Sequence, residues 1–461
     1  MYSQAVIGTH LFVPRSEVRD LEDIKVSTTA YSKFNQEPVP MYNDRNYGWF
    51  GFPLYYHRQH RAVSENIRDL RTVGKPIQMS FRSSYRPGQD ELINEFVRRL
   101  GSGGTGFILN APPGFGKTVM VISMLSMLKR TALIVVPRSN LVRQWVDRIL
   151  QHSSIRAEEV GVGTGGKVEW EGKKIVVALV HTLALDRFGV AFKKNFGVTV
   201  FDEVDRSVPP QTFAPVVGMF PAKYRIGVSA TMKRQDGMEV VFQNHVGEHF
   251  LKSMDIGRMR PKVLVHYYDI HSGPIFGNDT LRMRGQLISR LAGNHHRNRM
   301  IARYVRSITV TGRRCLVLSD RIQQLLDIEE ILLENKWAKA EETGMYVRRL
   351  PVSQLFRTRK KRYRELKEAE RREVAKKSQI ILATYGMFAL GTDIKDLAGL
   401  VYATPMSEIT QSKGRIEREL AGKMQPVVVD IVDSAYDMAV RWGYKRVREY
   451  GKDGLLIKKV R

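Results

Sequence analysis

A chain of 461 residues, 43% hydrophobic and 26% charged, has ordinary soluble globular composition and room for two or three domains, which argues against disorder. No run of about 18 apolar residues is available to span a bilayer. Residues 1 to 20 lack the basic start, apolar middle and small-residue cleavage site of a secretory leader, so a cytoplasmic location is expected.

Lysine and arginine outnumber aspartate and glutamate by 74 to 47, giving a net charge of +27 and a pI near 10.1. Such an excess repels itself and favours a polyanionic partner, with nucleic acid first because neutralised phosphates release counterions. Along the chain, residues 1–79 stand apart by their aromatics: Tyr42, Tyr47, Trp49, Phe50, Phe52, Tyr55 and Tyr56 crowd around Gly48 and Gly51. Short strands and turns suit that composition better than a long helix. Those rings can either form a core or stack on exposed bases.

From Phe81 to about Arg260 short apolar runs alternate with helical stretches. Strands are expected at Phe107–Asn110, Ala132–Val136, Ile175–Leu179, Val198–Phe201 and Arg225–Val228, the pattern of a parallel sheet covered on both faces. After a boundary near Arg258–Pro261 a second α/β set follows. Its expected strands are Cys315–Leu318, Ile380–Ala383, Leu400–Ala403 and Val427–Ile431, with helices over Gln286–Ile308 and Ile322–Glu334. A charge run over residues 348–377 reads either as a self-paired solvated helix or, through Arg357, Arg359, Lys360 and Lys361, as a contact for a phosphate backbone. The single cysteine, Cys315, lies in an apolar stretch and reads as a buried small hydrophobe. The histidines show no paired ligand spacing, and the adjacent His295 and His296 cannot share a helix face, so no structural zinc is expected.

Three segments carry chemistry. Ala111-Pro112-Pro113-Gly114-Phe115-Gly116-Lys117-Thr118 follows an expected strand and precedes an apolar helical stretch, the context a phosphate-binding loop requires. Gly114 and Gly116 can turn amide hydrogens inward with Pro113 and Phe115 between them, Lys117 can reach the β and γ phosphates, and Thr118 can bind Mg2+. Asp202 and Glu203 end another strand, where one carboxylate can hold the metal and the other can orient water. Gln89, in the turn Tyr85-Arg86-Pro87-Gly88-Gln89, carries an amide that could select adenine, with Phe81 or Tyr85 stacking on the base. The nucleotide is then ATP. Ser229, Ala230 and Thr231 close a further strand and could couple phosphate state to movement. Gln411, Arg415 and Arg418 place two guanidinium groups about one helical turn apart, suited to the charge that grows in a phosphoryl transition state.

On these motifs the chain resembles the superfamily-two helicases, from Phe81 onward. The resemblance implies an α/β protein of two tandem RecA-like parallel-sheet domains, residues 80–258 and 259–461, behind a small N-terminal α+β or β-rich domain, 1–79. It adds Arg86 to the adenine motif and Gly391 and Asp393 to the nucleotide machinery. It also assigns nucleic-acid contacts to Pro137, Arg138, His181, Thr182, Ser319, Arg321, Thr384 and Tyr385. Segments 298–305, 383–388 and 429–433 are similar to phage UvsW-type helicases, and Ser229 to Gly237 to the XPB-like branch. Gly386 and Leu390 stand where many relatives carry an acid and an arginine. Implied is a monomeric, ATP- and Mg2+-dependent enzyme that remodels branched or forked DNA. An RNA-directed ATPase would share every motif.

Overall fold

The computed structural model describes every residue except 1–3, 33–35, 45–47, 57–66, 113, 204–209, 231–236, 248, 253–258, 276–279, 352–362, 390–393, 395, 407–408, 410–412, 415, 418–421 and 461. The chain forms two compact units, 1–256 and 257–461. Among the described residues no helix is long and apolar enough to cross a membrane.

In the first unit an eight-stranded sheet runs in the order Lys167–Val168, Val160–Thr164, Ile175–Leu179, Ala132–Val136, Val198–Asp202, Tyr224–Ser229, Gly106–Asn110, His249–Lys252. Every pairing is parallel except that of the two-residue edge strand. The central strands are mostly apolar without alternation, Arg225 and Thr199 being the buried polar exceptions, and are buried along nearly their whole length, as a sheet covered on both faces requires. Helix Lys117–Leu128 packs into this core, its Met120, Val121, Ile122, Met124 and Leu125 buried and Met127 exposed.

The N-terminal residues build a separate four-stranded sheet, ordered Trp49–Phe52, Leu11–Pro14, Ala5–Ile7, Ile67–Asp69. Phe50, Phe52 and Tyr55 are its core, which gives these aromatics a packing role and removes them from any base-stacking surface. This sheet is packed against the larger one within the first unit. Tyr55 N donates to the Asn244 carbonyl (2.9 Å), and Arg225, fully buried on strand Tyr224–Ser229, donates to the carbonyls of Thr9 (3.2 Å), Phe220 (2.9 Å) and His245 (2.6 Å). No carboxylate pairs with it among the described residues; backbone dipoles alone hold the charge, and burial lowers its pKa to about 10.

The second unit is a seven-stranded parallel sheet: Thr343–Tyr346, Ile380–Thr384, Arg314–Ser319, Leu397–Tyr402, Val427–Asp433, Lys262–Tyr268, Ile457–Val460. Cys315 is fully buried in it, and burial pushes the thiol up. Where one helix is expected over Gln286–Ile308, two occur, Thr280–Ala292 and His295–Thr309. The Asn294 side chain accepts from Arg297 N (3.0 Å) and caps a fresh helix after Gly293, a stop and start that the apolar periodicity running through both helices conceals. Buried ion pairs fasten both helix layers: Arg297 grips Asp433 through two bonds (2.6 and 3.0 Å), and Arg446 grips Asp430 (2.7 Å), which also accepts the Tyr450 hydroxyl (2.9 Å).

Candidate nucleotide and nucleic-acid site

The phosphate loop joins strand Gly106–Asn110 to helix Lys117–Leu128. Gly114 and Gly116 sit at φ +88° and +94°, a conformation open to glycine, and a Cβ at Gly116 would meet Gln89 Nε2 at 2.7 Å. No side chain caps the helix, so its first amides have no side-chain acceptor and point where an anion can sit. Lys117 Nζ donates to the carbonyls of Ala111 (2.8 Å) and Pro112 (3.1 Å), folding its charge back over the loop. Thr118 occupies the first turn. Pro113 lies outside the described residues.

Asp202 ends strand Val198–Asp202 with its carboxylate turned to the helix layer: Trp145 Nε1 donates to it at 2.7 Å and the Glu203 amide at 2.9 Å. Burial and the neighbouring Glu203 charge push Asp202 up to about 6, against the pull of Trp145, Lys117 and the Glu203 amide. Glu203 holds a left-handed backbone, φ +49°, uncommon outside glycine and expected where a side chain must be aimed. Among the described residues no three His, Cys, Asp or Glu cluster as a metal site. The donors Thr118 and Asp202, few and all oxygen, fit a magnesium ion that takes its other ligands from phosphate and water.

Strand Tyr224–Ser229 is hydrogen-bonded beside Gly106–Asn110, and the Ser229 carbonyl accepts the Ala111 amide (3.2 Å). The end of this strand therefore holds the first residue of the phosphate loop. Ala230 follows, half-buried; Thr231 lies outside the described residues. Gln89 is buried, its Oε1 accepting from Arg86 N (2.9 Å) and its Nε2 donating to the Phe115 carbonyl (2.5 Å), so here it ties the 85–89 turn to the phosphate loop. Phe81 stacks on Tyr85 at 5.4 Å, and the Tyr85 hydroxyl meets Ser123 Oγ (2.6 Å) on the helix that follows the loop. Arg86 is exposed.

The expected nucleic-acid contacts divide by burial. Arg138 and His181 are exposed, whereas Pro137, Thr182 and Ser319 are buried. The Ser319 hydroxyl bonds Gln324 Oε1 (2.7 Å) and receives the Arg321 amide (2.9 Å). The Arg321 guanidinium donates to Gly285 O and Ser289 Oγ, both at 3.2 Å. Tyr385 spends its hydroxyl on the Thr404 carbonyl (2.7 Å) and stacks on Tyr402, while Thr384 ends its strand half-buried. In the 348–377 run four of the described cations are paired within the run: Arg348 with Glu365, Arg364 with Glu370, Arg372 with Glu368, Lys377 with Glu373. Arg357, Arg359, Lys360, Lys361, Gly391, Asp393, Gln411, Arg415 and Arg418 lie outside the described residues.

Trp145 is the site residue that sequence reasoning missed. A buried tryptophan needs an acceptor, but that the acceptor is Asp202 follows only from the parallel pairing of Ala132–Val136 with Val198–Phe201, which brings the helix after one strand to the end of the other.

A parallel sheet with a glycine-rich phosphate loop, a lysine folded over it and an acidic pair at the end of the strand next but one defines a P-loop nucleotide hydrolase. Comparison with known proteins narrows the class. Residues 82–234 match the family "Type III restriction enzyme, res subunit". The chain is 27% identical over 446 residues to the Acanthamoeba polyphaga mimivirus protein named "Putative ATP-dependent RNA helicase L396", covering 94% of this chain and 80% of that one. It is 30% identical over 193 residues to "DNA 3'-5' translocase XPB2" of Sulfurisphaera tokodaii, covering 42% and 40%. The crystal structure of T4 UvsW aligns over 99% of both chains at 15% identity with a TM-score of 0.39. The relatives are named as helicases or translocases, and the chain is an ATP-hydrolysing enzyme.

Proposed function

We propose that this enzyme is a monomeric, cytoplasmic DNA helicase or translocase that remodels branched or forked DNA, with roles in replication, recombination and repair of a phage genome. The observation that carries the motor reading is the grouping around the phosphate loop: an uncapped helix start, Lys117 over the loop, Asp202 held by Trp145, and Ser229 bonded to Ala111. The excess of 74 basic over 47 acidic residues supports a nucleic-acid substrate, and the segments similar to UvsW-type helicases support branched DNA.

In this reading the loop amides and Lys117 bind the β and γ phosphates, and Gln89 with Phe81 and Arg86 holds the adenine end. Glu203 orients the attacking water and takes its proton. Thr118 and Asp202 would hold a magnesium ion, which when bound neutralises charge on the β and γ oxygens. Gln411, Arg415, Arg418, Gly391 and Asp393 complete the nucleotide machinery, and Ser229, Ala230 and Thr231 relay phosphate state through the Ala111 contact. Contacts to the strand go mainly to phosphate and are independent of sequence.

Lys117→Ala is expected to abolish ATP turnover while DNA binding persists; wild-type turnover in that variant would refute the assignment. Substrate class is read from ATPase stimulation by single strands, linear duplex, forks, four-way junctions and RNA. Stimulation by forks and junctions above linear duplex is expected. An RNA-directed enzyme is the second reading, favoured by the name of the mimivirus relative; stimulation by RNA alone would establish it in place of the first.

A further inference from the structure

The C-terminal helix Asp437–Lys452 buries Ala439, Gly443, Arg446 and Tyr450. Its opposite face carries Arg441, Lys445, Arg448 and Lys452, all exposed, with Tyr444 between them at 66% exposure. At 100° per residue these five positions fall within one stripe, and the helical rise spreads the four cations over about 16 Å. Among the described residues none of the four has an ion-pair partner, whereas Arg446 on the buried side is paired with Asp430. Asp437 is the only acid on the stripe, in the first turn, and Glu449 flanks it.

This stripe is unlike the helix Glu368–Lys377, where Arg372 and Lys377 each face a glutamate one turn away. Here Arg441 and Lys445, and Arg448 and Lys452, are like charges at i,i+4, and Lys445 and Arg448 at i,i+3, arrangements that weaken a helix. The helix dipole rewards Lys452 in the last turn. It does not reward Arg441, which sits in the N-terminal half. A row of uncompensated cations with an exposed aromatic among them has the chemistry of a track for a single strand: positive charge along the phosphates and a ring for a base.

We propose that this face binds single-stranded nucleic acid, the four cations contacting backbone phosphates and Tyr444 stacking on a base. No motif of the sequence covers it. The proposal rests on the nucleic-acid reading above and extends it to a new surface.

The test is fluorescence anisotropy of a fluorescein-labelled oligothymidine titrated with the full chain across a salt series. Replacing Arg441, Lys445, Arg448 and Lys452 with Gln keeps helix propensity, and thermal unfolding checks the fold. Deleting four cation–phosphate pairs from a single-strand complex lowers the slope of log affinity against log salt by about 3. Tyr444→Ala is expected to weaken binding about tenfold. Neutralising the ion-paired Arg364, Arg372 and Lys377 should leave the slope nearly unchanged. A wild-type slope in the quadruple variant, with wild-type protein binding normally, overturns this surface and leaves the nucleic-acid reading standing. Failure of the wild-type protein itself to bind in a salt-dependent manner overturns both.

Discussion

Acid should loosen the first unit at the start of strand Tyr224–Ser229, the opposite end from the one that borders the phosphate loop. His10, beside the N-terminal sheet, and His245 meet edge to face at 5.6 Å next to the buried Arg225 guanidinium. Burial, then the Arg225 charge, lowers His10 from 6.5 to about 3; burial, His10 and Arg225 push His245 down as well. A depressed folded-state pKa means that the unfolded chain takes up the proton first. The stability is therefore complete above about pH 6.5 and is lost progressively as pH falls toward 3. At pH 5.5 a histidine of pKa 6.5 in the unfolded chain and unprotonated in the fold contributes a loss of about 1.4 kcal/mol, and the full shift of His10 corresponds to about 5 kcal/mol. His10→Gln removes one titrating group while keeping a neutral polar side chain. Urea unfolding of wild type and variant at pH 7.5 and 5.5 isolates the contribution of this histidine: the variant should lose about 1.4 kcal/mol less than wild type on acidification. Equal losses would show that His10 is protonated in the fold and would refute the role given to this histidine pair.

Two further outcomes are expected. Trp145→Phe keeps most of the ring volume and deletes the N–H that holds Asp202, a bond to a charged acceptor worth about 1.5–3 kcal/mol. Steady-state ATPase should fall about tenfold or more with the fold retained by circular dichroism, and undiminished turnover would remove Trp145 from the site. Asp433→Asn leaves the buried Arg297 guanidinium without its counter-charge and should destabilise the second unit by about 3–5 kcal/mol. Urea unfolding measures this, and a change below about 1 kcal/mol would mean that the Ala403 carbonyl and water suffice to hold Arg297.

Much of the central sheet was legible because its strands are bounded apolar runs: Ala132–Val136 and Ile175–Leu179 coincide with expectation, and Val198–Asp202 and Tyr224–Ser229 extend it by a residue or two. Val160–Thr164, Thr343–Tyr346 and Ile457–Val460 escaped detection. They are short, carry glycine or lysine, and belong to the sheets only through the neighbour that pairs with them. The aromatics of residues 42–56 admitted two uses, and packing chose the core for Phe50, Phe52 and Tyr55.

The nucleotide machinery proposed for the first unit is a matter of local sequence. Glycine, lysine and threonine at fixed spacing, or an acidic pair at a strand end, define a phosphate site because backbone geometry and charge act over a few bonds. Which side chains serve that machinery from afar was decided by tertiary structure alone. Trp145 reaches Asp202 across 57 positions, Ser229 holds Ala111 through strand pairing, and Gln89 grips Phe115 through a turn. Burial likewise withdrew Thr182 and Ser319 from solvent and left the cations of the C-terminal helix facing it. Exposure and partnership are properties of packed surfaces, and no spacing along a chain records them.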